Sequence, residues 1–390
     1  MSQKGIGRLI SVGLAKEATR GTAQSSATYW LPWSDLTLDE KKEFVTDDQA
    51  YGIIEDSTNL TQTKKWAEGS IQGNVADTTF GLILYGMFGG YAVTGSNPYT
   101  HTFTVGQSGQ HQSMTLFLHD PLSGVDYSYA NGVIGKLELT AELKKFLAYN
   151  GSLMAQSGAA QSNFTPSTTT ENRFVPQYLA AKFALNYSGL QGTLTATGTA
   201  ASTVHVTSCS INPQTNLKVG MTVTGTNIPA GTTVAKIVSS SAYDLSQATT
   251  GAIGTQTFGP AVIALKSAKV TINSNIESQD VLGNLSPADF LNKEFSVEGT
   301  IEAIWQNESD FKTQFMAATP LAIRLDFLNS DVSTNPEIYI DMPKCTIQEL
   351  GRSLKVKDLI YQTLKIKATY SVTDTLLCKA VLINTSTSSY

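Results

Sequence analysis

The chain has 390 residues, 41% apolar and only 15% charged, with a formal net charge of −5. That length fits two or three domains, each able to bury a core. The charge shortfall, filled by Thr, Ser, Gly, Asn and Gln, excludes the clustered Lys and Arg that a phosphate-gripping protein needs; the densest basic patch, Arg352, Lys355 and Lys357, has Asp358 beside it and reads as a solvated strand face.

From the N-terminus, MSQKGIGRLISVGLAKEATRG holds no apolar stretch long enough for a signal peptide. The longest apolar run, Phe80 to Phe88, is too short to span a bilayer. Synthesis in the cytoplasm is therefore expected, and triplets such as Asn186-Tyr187-Ser188 should carry no glycan. Phe44 to Lys65 reads as a long polar loop that carries Tyr51, Ile53 and Ile54. It leads into a strand in which Glu68, Ser70, Gln72 and Asn74 point one way and Ala67, Gly69, Ile71 and Val75 the other. A short helix follows, opened by Asp77 and stopped by Gly89-Gly90, with Phe80, Ile83, Leu84, Met87 and Phe88 as one buried stripe. Next come the strand SMTLFLHD, a turn at Pro121 to Gly124, and GKLELTAELKKFLAYNGSLMAQ. In the last, Lys136, Glu138, Thr140, Glu142 and Lys144 oppose Leu137, Leu139, Ala141 and Leu143.

From Thr193 to Phe258 the only charges are Lys218, Lys236 and Asp244. VHVTSC, MTVTGT and TTVAKIV alternate apolar and polar residues, with turn residues between them. This is a small all-β module, possible as an immunoglobulin-like sandwich but without the Cys–Trp–Cys signature. Gly189 to Gly192 offers it a flexible exit from its flank.

Without that insert, the remainder repeats itself. Glu68-Gly69-Ser70-Ile71-Gln72-Gly73 returns as Glu298-Gly299-Thr300-Ile301-Glu302-Ala303, after an aromatic (Trp66, Phe295) and a long polar loop, Asn273 to Glu294 in the second copy, which carries Val281, Leu282 and Leu285. Ser296, Glu298, Thr300 and Glu302 oppose Phe295, Val297, Ile301 and Ala303. A helix opening at Asn307, with Asp310, carries Phe311, Phe315 and Met316 before Pro320; LAIRLDFL, EIYIDM and DLIYQTLKIKATYSV follow as strands. The order therefore predicts repeat 1 over 1–160, a linker and first strand of repeat 2 over 161–192, the insert over 193–258, repeat 2 over 259–376 and a C-terminal tail over 377–390. The fold class is mainly β.

Chemistry is thin. His101, His111, His119 and His205 share no metal spacing and read as scattered surface or turn histidines. Cys209, Cys345 and Cys378 form neither a metal spacing nor a disulfide framework. There is no Gly-x-Ser-x-Gly elbow and no P-loop, and Gly86, Gly89 and Gly90 fall where a helix ends. Glu68 and Glu298 are carboxylates of the kind an acid/base pair uses, but their equivalent positions in two repeats point to a repeated sheet face instead. No catalytic residue, cofactor or metal is expected.

The segments GIGRLISVGLAKEATRGT…YWLPW, WAEGSIQG after a polar loop, the following helix, and HTFTV…HQSMTLFLHDPLSG resemble the tail tube proteins of long-tailed, non-contractile bacteriophages. The resemblance covers most of both repeats, and the insert is similar to small β modules carried on phage virion proteins. It implies a β-sandwich or half-barrel tube domain with a flanking helix, present twice. It also implies a virion protein that assembles with itself into rings stacked as a tube, with three chains per pseudo-sixfold ring or a true hexamer as the alternative. Tail terminator, tape measure and distal tail proteins are implied partners, and DNA is implied to pass through the lumen without specific binding. Glu68, Ser70, Gln72, Asn74, Ser296, Glu298, Thr300 and Glu302 are then expected to line the lumen, as acidic bands. The two long loops are expected to reach a neighbouring subunit or ring through Tyr51, Ile53, Ile54, Val281, Leu282 and Leu285. The rival is a carbohydrate-binding or adhesive β-protein using Tyr178, Tyr187 and Tyr243. An outer-membrane barrel would need a signal peptide and outward apolar bands.

Overall fold

Period-two alternation dominates the chain, and it becomes long antiparallel strands in a computed structural model that describes residues 6–56, 59–304, 311–354, 359–385 and 389–390. The first half holds β1 Ser11–Lys16, β2 Tyr29–Leu31, β3 Asp35–Thr46, β4 Leu60–Asn74, α1 Phe80–Phe88, β5 Gly89–Thr94, β6 Tyr99–Val105, β7 Met114–His119, β8 Asp126–Glu142, β9 Ala148–Ala155 and β10 Ala159–Gln161. The second begins with β11 Leu179–Ala184 and α2 Tyr187–Gln191 and passes through the insert: β12 Leu194–Thr197, β13 His205–Val206, α3 Pro213–Asn216, β14 Met221–Gly225, β15 Val234–Ser239 and β16 Ala242–Leu245. It continues with β17 Thr255–Ile263, β18 Leu265–Asn273, β19 Ile276–Gln279, β20 Asp289–Asn292, β21 Ser296–Ile304, α4 Lys312–Met316, β22 Leu321–Leu328, β23 Glu337–Ser353, β24 Tyr361–Ala368 and β25 Lys379–Asn384.

The two halves repeat one pattern. β3-β4-β9-β8 form four adjacent antiparallel strands, and β18-β21-β24-β23 form the same four. β8 and β23 are each 17 residues long, and β9 and β24 each 8. The bulge between Ile134 and Lys136 of β8 has its counterpart between Ile347 and Glu349 of β23. Each long strand bends, so that its first part joins a second sheet: β1-β7-β8-β10 in one half and β11-β22-β23-β25 in the other. A 3-10 turn, Gly7–Leu9 or Pro176–Tyr178, precedes each first strand. β8 pairs with β18, so the two groups of four make one eight-stranded sheet.

One core runs through both halves, with Ile71, Leu137, Val270 and Ile366 from the wide sheet meeting Leu14, Leu116, Ile323 and Ile340. α1 is buried all round except for Tyr85, so it is a plug and not the one-sided helix the spacing suggested. It starts after Thr79, while Asp77 instead accepts hydrogen bonds from Asn172. It stops at Gly89, whose φ of +78° suits glycine. In α4 the pattern misled differently: Phe311 is buried but Met316 is 73% exposed, and Asn307 and Asp310 lie outside the described residues.

Other expectations change as well. Within the segment expected as a C-terminal tail, β25 lies between β23 and β6, and the Tyr390 ring packs where a Cβ on Gly81 would stand 2.0 Å from it. The Lys136–Lys144 strand ends at Glu142, which leaves Leu143 60% exposed in the turn. The insert has its own core around Val206, Tyr243 and Phe258, but this core is seated on Ala184, Ala261 and Ala322 of the second half. Gly189 to Gly192 is not a flexible exit; it belongs to α2, capped by Asn186 at one end and by Gly192 (φ +68°) at the other.

Glu337 opens β23 opposite Leu328 of β22. Burial, then the charge of Asp326 and a hydrogen bond to it, push its carboxyl up to about 7. A raised pKa favours folding fully below the ordinary carboxyl range, and that contribution is lost as pH rises through 7. Glu337→Gln should therefore raise the melting temperature at pH 8 and leave it nearly unchanged at pH 5. An equal change at both pH values would contradict this assignment.

Candidate functional site

The eight-stranded sheet presents one regular polar face. On β4, Glu68, Ser70 and Gln72 are half-buried and Asn74 is exposed, while Ala67, Ile71 and Gly73 are buried behind them. On β21, Ser296, Thr300 and Glu302 are half-buried and Glu298 is exposed, over buried Val297, Ile301 and Ala303. All eight expected residues thus share the polar side of one sheet. Within it, pairing runs from Glu298 to Thr271, Glu138, Asn150 and Gln72.

The face is not uniformly acidic. Neither β4 from Glu68 onward nor β21 carries a Lys or Arg there, but neighbouring strands do. Lys41 lies 3.8 Å from Glu68, Lys367 lies 3.3 Å from Glu298, and Lys266 lies 3.3 Å from Glu302. Lys269 reaches Glu138 at 2.8 Å and Lys365 reaches Glu349 at 2.7 Å. Single-strand reading could not find these lysines, because cross-strand neighbours are set by register. Pairs this exposed contribute little stability; their effect is to neutralise the surface. Between them stand hydroxyls and amides, including Thr37 with Ser70 at 3.1 Å and Gln72 donating to Asp35 at 3.3 Å.

The two long loops differ from expectation. β3 runs to Thr46 and β4 begins at Leu60, so both ends of the expected loop are paired strand, Phe44 to Thr46 lying opposite Gln62 to Leu60. Its tip leaves Tyr51, Ile53 and Ile54 exposed at 57%, 58% and 102%. Asn273 to Glu294 contains the small hairpin β19–β20, with Val281, Leu282 and Leu285 exposed. That second loop is already held by its own chain. Lys65 donates its backbone N–H to Leu285 (2.8 Å), and Lys64 reaches Ser278 and Asp280. Deeper in, Arg20 contacts Asp289 (2.6 Å) and donates to the carbonyls of His111 and Phe290. Gln110 and Asn131 also donate to Asp289.

Two histidines are not at the surface: His101 bonds Tyr91 and Asn384, and His111 bonds the carbonyls of Met87 and Gly106. His119 pairs with Asp126 and His205 with Asp244. The cysteines are free thiols, with Cys345 and Cys378 pushed up by burial. Among the described residues, no group of three His, Cys, Asp or Glu could hold a metal, and no helix is long and apolar enough to cross a membrane. Tyr243 is buried and Tyr187 donates to Asp341, so Tyr178, Tyr187 and Tyr243 do not form a stacking face.

A duplicated two-sheet unit sharing one broad polar sheet defines a β-rich tandem-repeat protein. Residues 7–354 match the family described as phage tail tube protein, and the chain belongs to that family. Its role is structural, as a component of the virion tail. A comparison with curated proteins finds no match.

The Arg20–Asp289 contact yields a stability test. Burial alone would raise the Asp289 carboxyl; the Arg20, Phe290 N–H and Gln110 hydrogen bonds outweigh it and hold it below its ordinary value. The pair therefore stabilises above the ordinary carboxyl range and weakens as pH falls through the depressed value. Arg20→Leu, which leaves Asp289 buried and short of its charge partner, should cost about 3–5 kcal/mol at pH 7. Chemical denaturation showing wild-type stability at pH 7 would remove the contact from this role.

Proposed function

We propose that the chain closes into rings in which the eight-stranded sheets join as one barrel, that rings stack into a tube, and that DNA passes through it. The observation that carries this reading is the eight-stranded sheet itself: two equivalent groups of four strands, joined edge to edge. Three chains would then make a pseudo-sixfold ring of the kind the family resemblance implies.

The stagger of the sheet supports closure. Glu298 pairs across to Gln72, which stands four positions along β4 from Glu68, the counterpart of Glu298. A four-residue offset per four strands corresponds to strands tilted by about 35°, within the range for barrels. Six such groups would close at about 45 Å between opposite backbones. That width admits a DNA duplex.

In this arrangement Glu68, Ser70, Gln72, Asn74, Ser296, Glu298, Thr300 and Glu302 line the lumen with the lysines that pair with them. The wall is then a lattice of hydroxyls, amides and neutralised charges, not the acidic bands expected from the strands alone. Phosphate binding needs unpaired cations, so a lysine held by a carboxylate offers DNA little grip. Tyr51, Ile53 and Ile54 contact a neighbouring subunit or ring, since covering each such side chain would gain about 1.5–3 kcal/mol. Val281 and Leu282 extend the same contact. The insert, seated on the second half's smaller sheet, projects outward. Tail terminator, tape measure and distal tail proteins would meet the tube at its ends and lumen.

Negative-stain microscopy of the concentrated, purified chain tests the reading. Rings or tubes with an open centre are expected. Dispersed single particles at every concentration would contradict it.

A further inference from the structure

We infer that β23 of one chain pairs antiparallel with β3 of the next in the register that β8 and β18 already adopt within the chain, placing Glu349 opposite Lys41, Gly351 opposite Asp39 and Ser353 opposite Thr37. The inference rests on the ring reading and adds to it which edges meet and how.

The equivalences come from the pairings. Glu68 and Glu298 are counterparts, and they face Asp39 of β3 and Thr271 of β18, so β3 corresponds to β18. The matching bulges set Lys136 of β8 against Glu349 of β23. Within the chain, Lys136 lies opposite Asn273, Glu138 opposite Thr271 and Thr140 opposite Lys269. Carried over to the outer edges, those three pairs become the three stated above.

Both edges are open among the described residues. β3 pairs with β4 alone, and the end of β23 beyond Cys345 pairs with β24 alone. Exposure follows. Ala268, Val270 and Ile272, with β8 alongside, are 2%, 1% and 0% exposed. Their counterparts Leu36 and Leu38 are only half-buried, and Glu40 is exposed. Ala141 at the junction is 2% exposed, but its counterpart Leu354 is 69% exposed. Each chain thus leaves uncovered at its ends what it covers at its middle, and an unpaired edge is a template for another strand.

Charge selects the register. Glu349 meets Lys41 directly across the proposed junction. A two-residue slip would set Glu349 against Asp39 or Glu43, both carboxylates, and like charges directly opposite destabilise a sheet. A one-residue slip would turn every side chain to the wrong face.

Cysteine cross-linking in a Cys209→Ser background reads the register. Thr37→Cys with Ser353→Cys places two thiols opposite each other, where Cβ atoms stand about 4.5–5.5 Å apart. The off-register pair, Asp35→Cys with Gly351→Cys, would be about 13 Å apart along the strands. Within one chain the two edges are seven strand spacings apart, about 33 Å, so any disulfide must join two chains. Under mild oxidation of assembled rings, the first pair should give covalent multimers and the second next to none, since thiols whose Cα atoms lie more than about 7 Å apart cannot be bridged without backbone movement. Rings that form but cross-link no faster through the first pair overturn the register and leave the ring reading standing. A wild-type chain that forms no rings overturns both. Charge reversal gives an independent reading: Lys41→Glu should weaken ring formation and adding Glu349→Lys should restore it. A double variant as weak as the sum of the two single ones overturns the Glu349–Lys41 pair.

Discussion

Everything in this molecule depends on the antiparallel junction between β8 and β18, where seven residues of one half lie opposite seven of the other. Without it the two groups of four strands would be separate surfaces, held to each other only through β25–β6 and the loops. With it, the two groups of four strands become one surface, and their apolar backs share one core. The same junction makes the outer edges conspicuous, since β3 and the end of β23 are the counterparts of the two strands it joins. Under the proposed ring, a unit that pairs its own copies in one way would pair with another chain in the same way. Head-to-tail contacts of this kind close by rotation or run on as filaments.

The remaining connections lock the halves against each other. β25 of the second half pairs with β6 of the first, and Lys16 donates to the Tyr390 carbonyl. Arg20 and Asp289 fasten the second loop to the first half. A rigid pair of repeats fixes the angle between neighbouring four-strand groups, and that angle would set the width of any ring. Against this rigidity, the β3–β4 hairpin tip projects with its apolar residues uncovered, as a segment built for contact outside the chain would.

Much of the fold was legible because strand alternation is local. LAIRLDFL became β22 residue for residue, and the Glu68 and Glu298 strands took the faces their alternation required. The turn at Gly89 was legible because a positive φ calls for glycine. What was missed depends on register and tertiary packing. The lysines beside Glu68 and Glu298 come from strands distant in sequence. The polar stretch Phe44 to Lys65 resembled a loop because both faces of its hairpin meet solvent, which removes the alternation that marks a half-buried strand. The C-terminal segment reads as a tail in the sequence because nothing local shows that β25 completes a sheet. His101 and His111 became internal because their ring nitrogens find partners only after folding.

The central claim is that duplication within the chain halves the number of chains needed to close a ring. Native mass spectrometry of rings released from assembled tubes tests it most directly. The account predicts a mass of three chains per ring, with an end-on average that shows three outer modules around six inner units. A ring mass of six chains would contradict it.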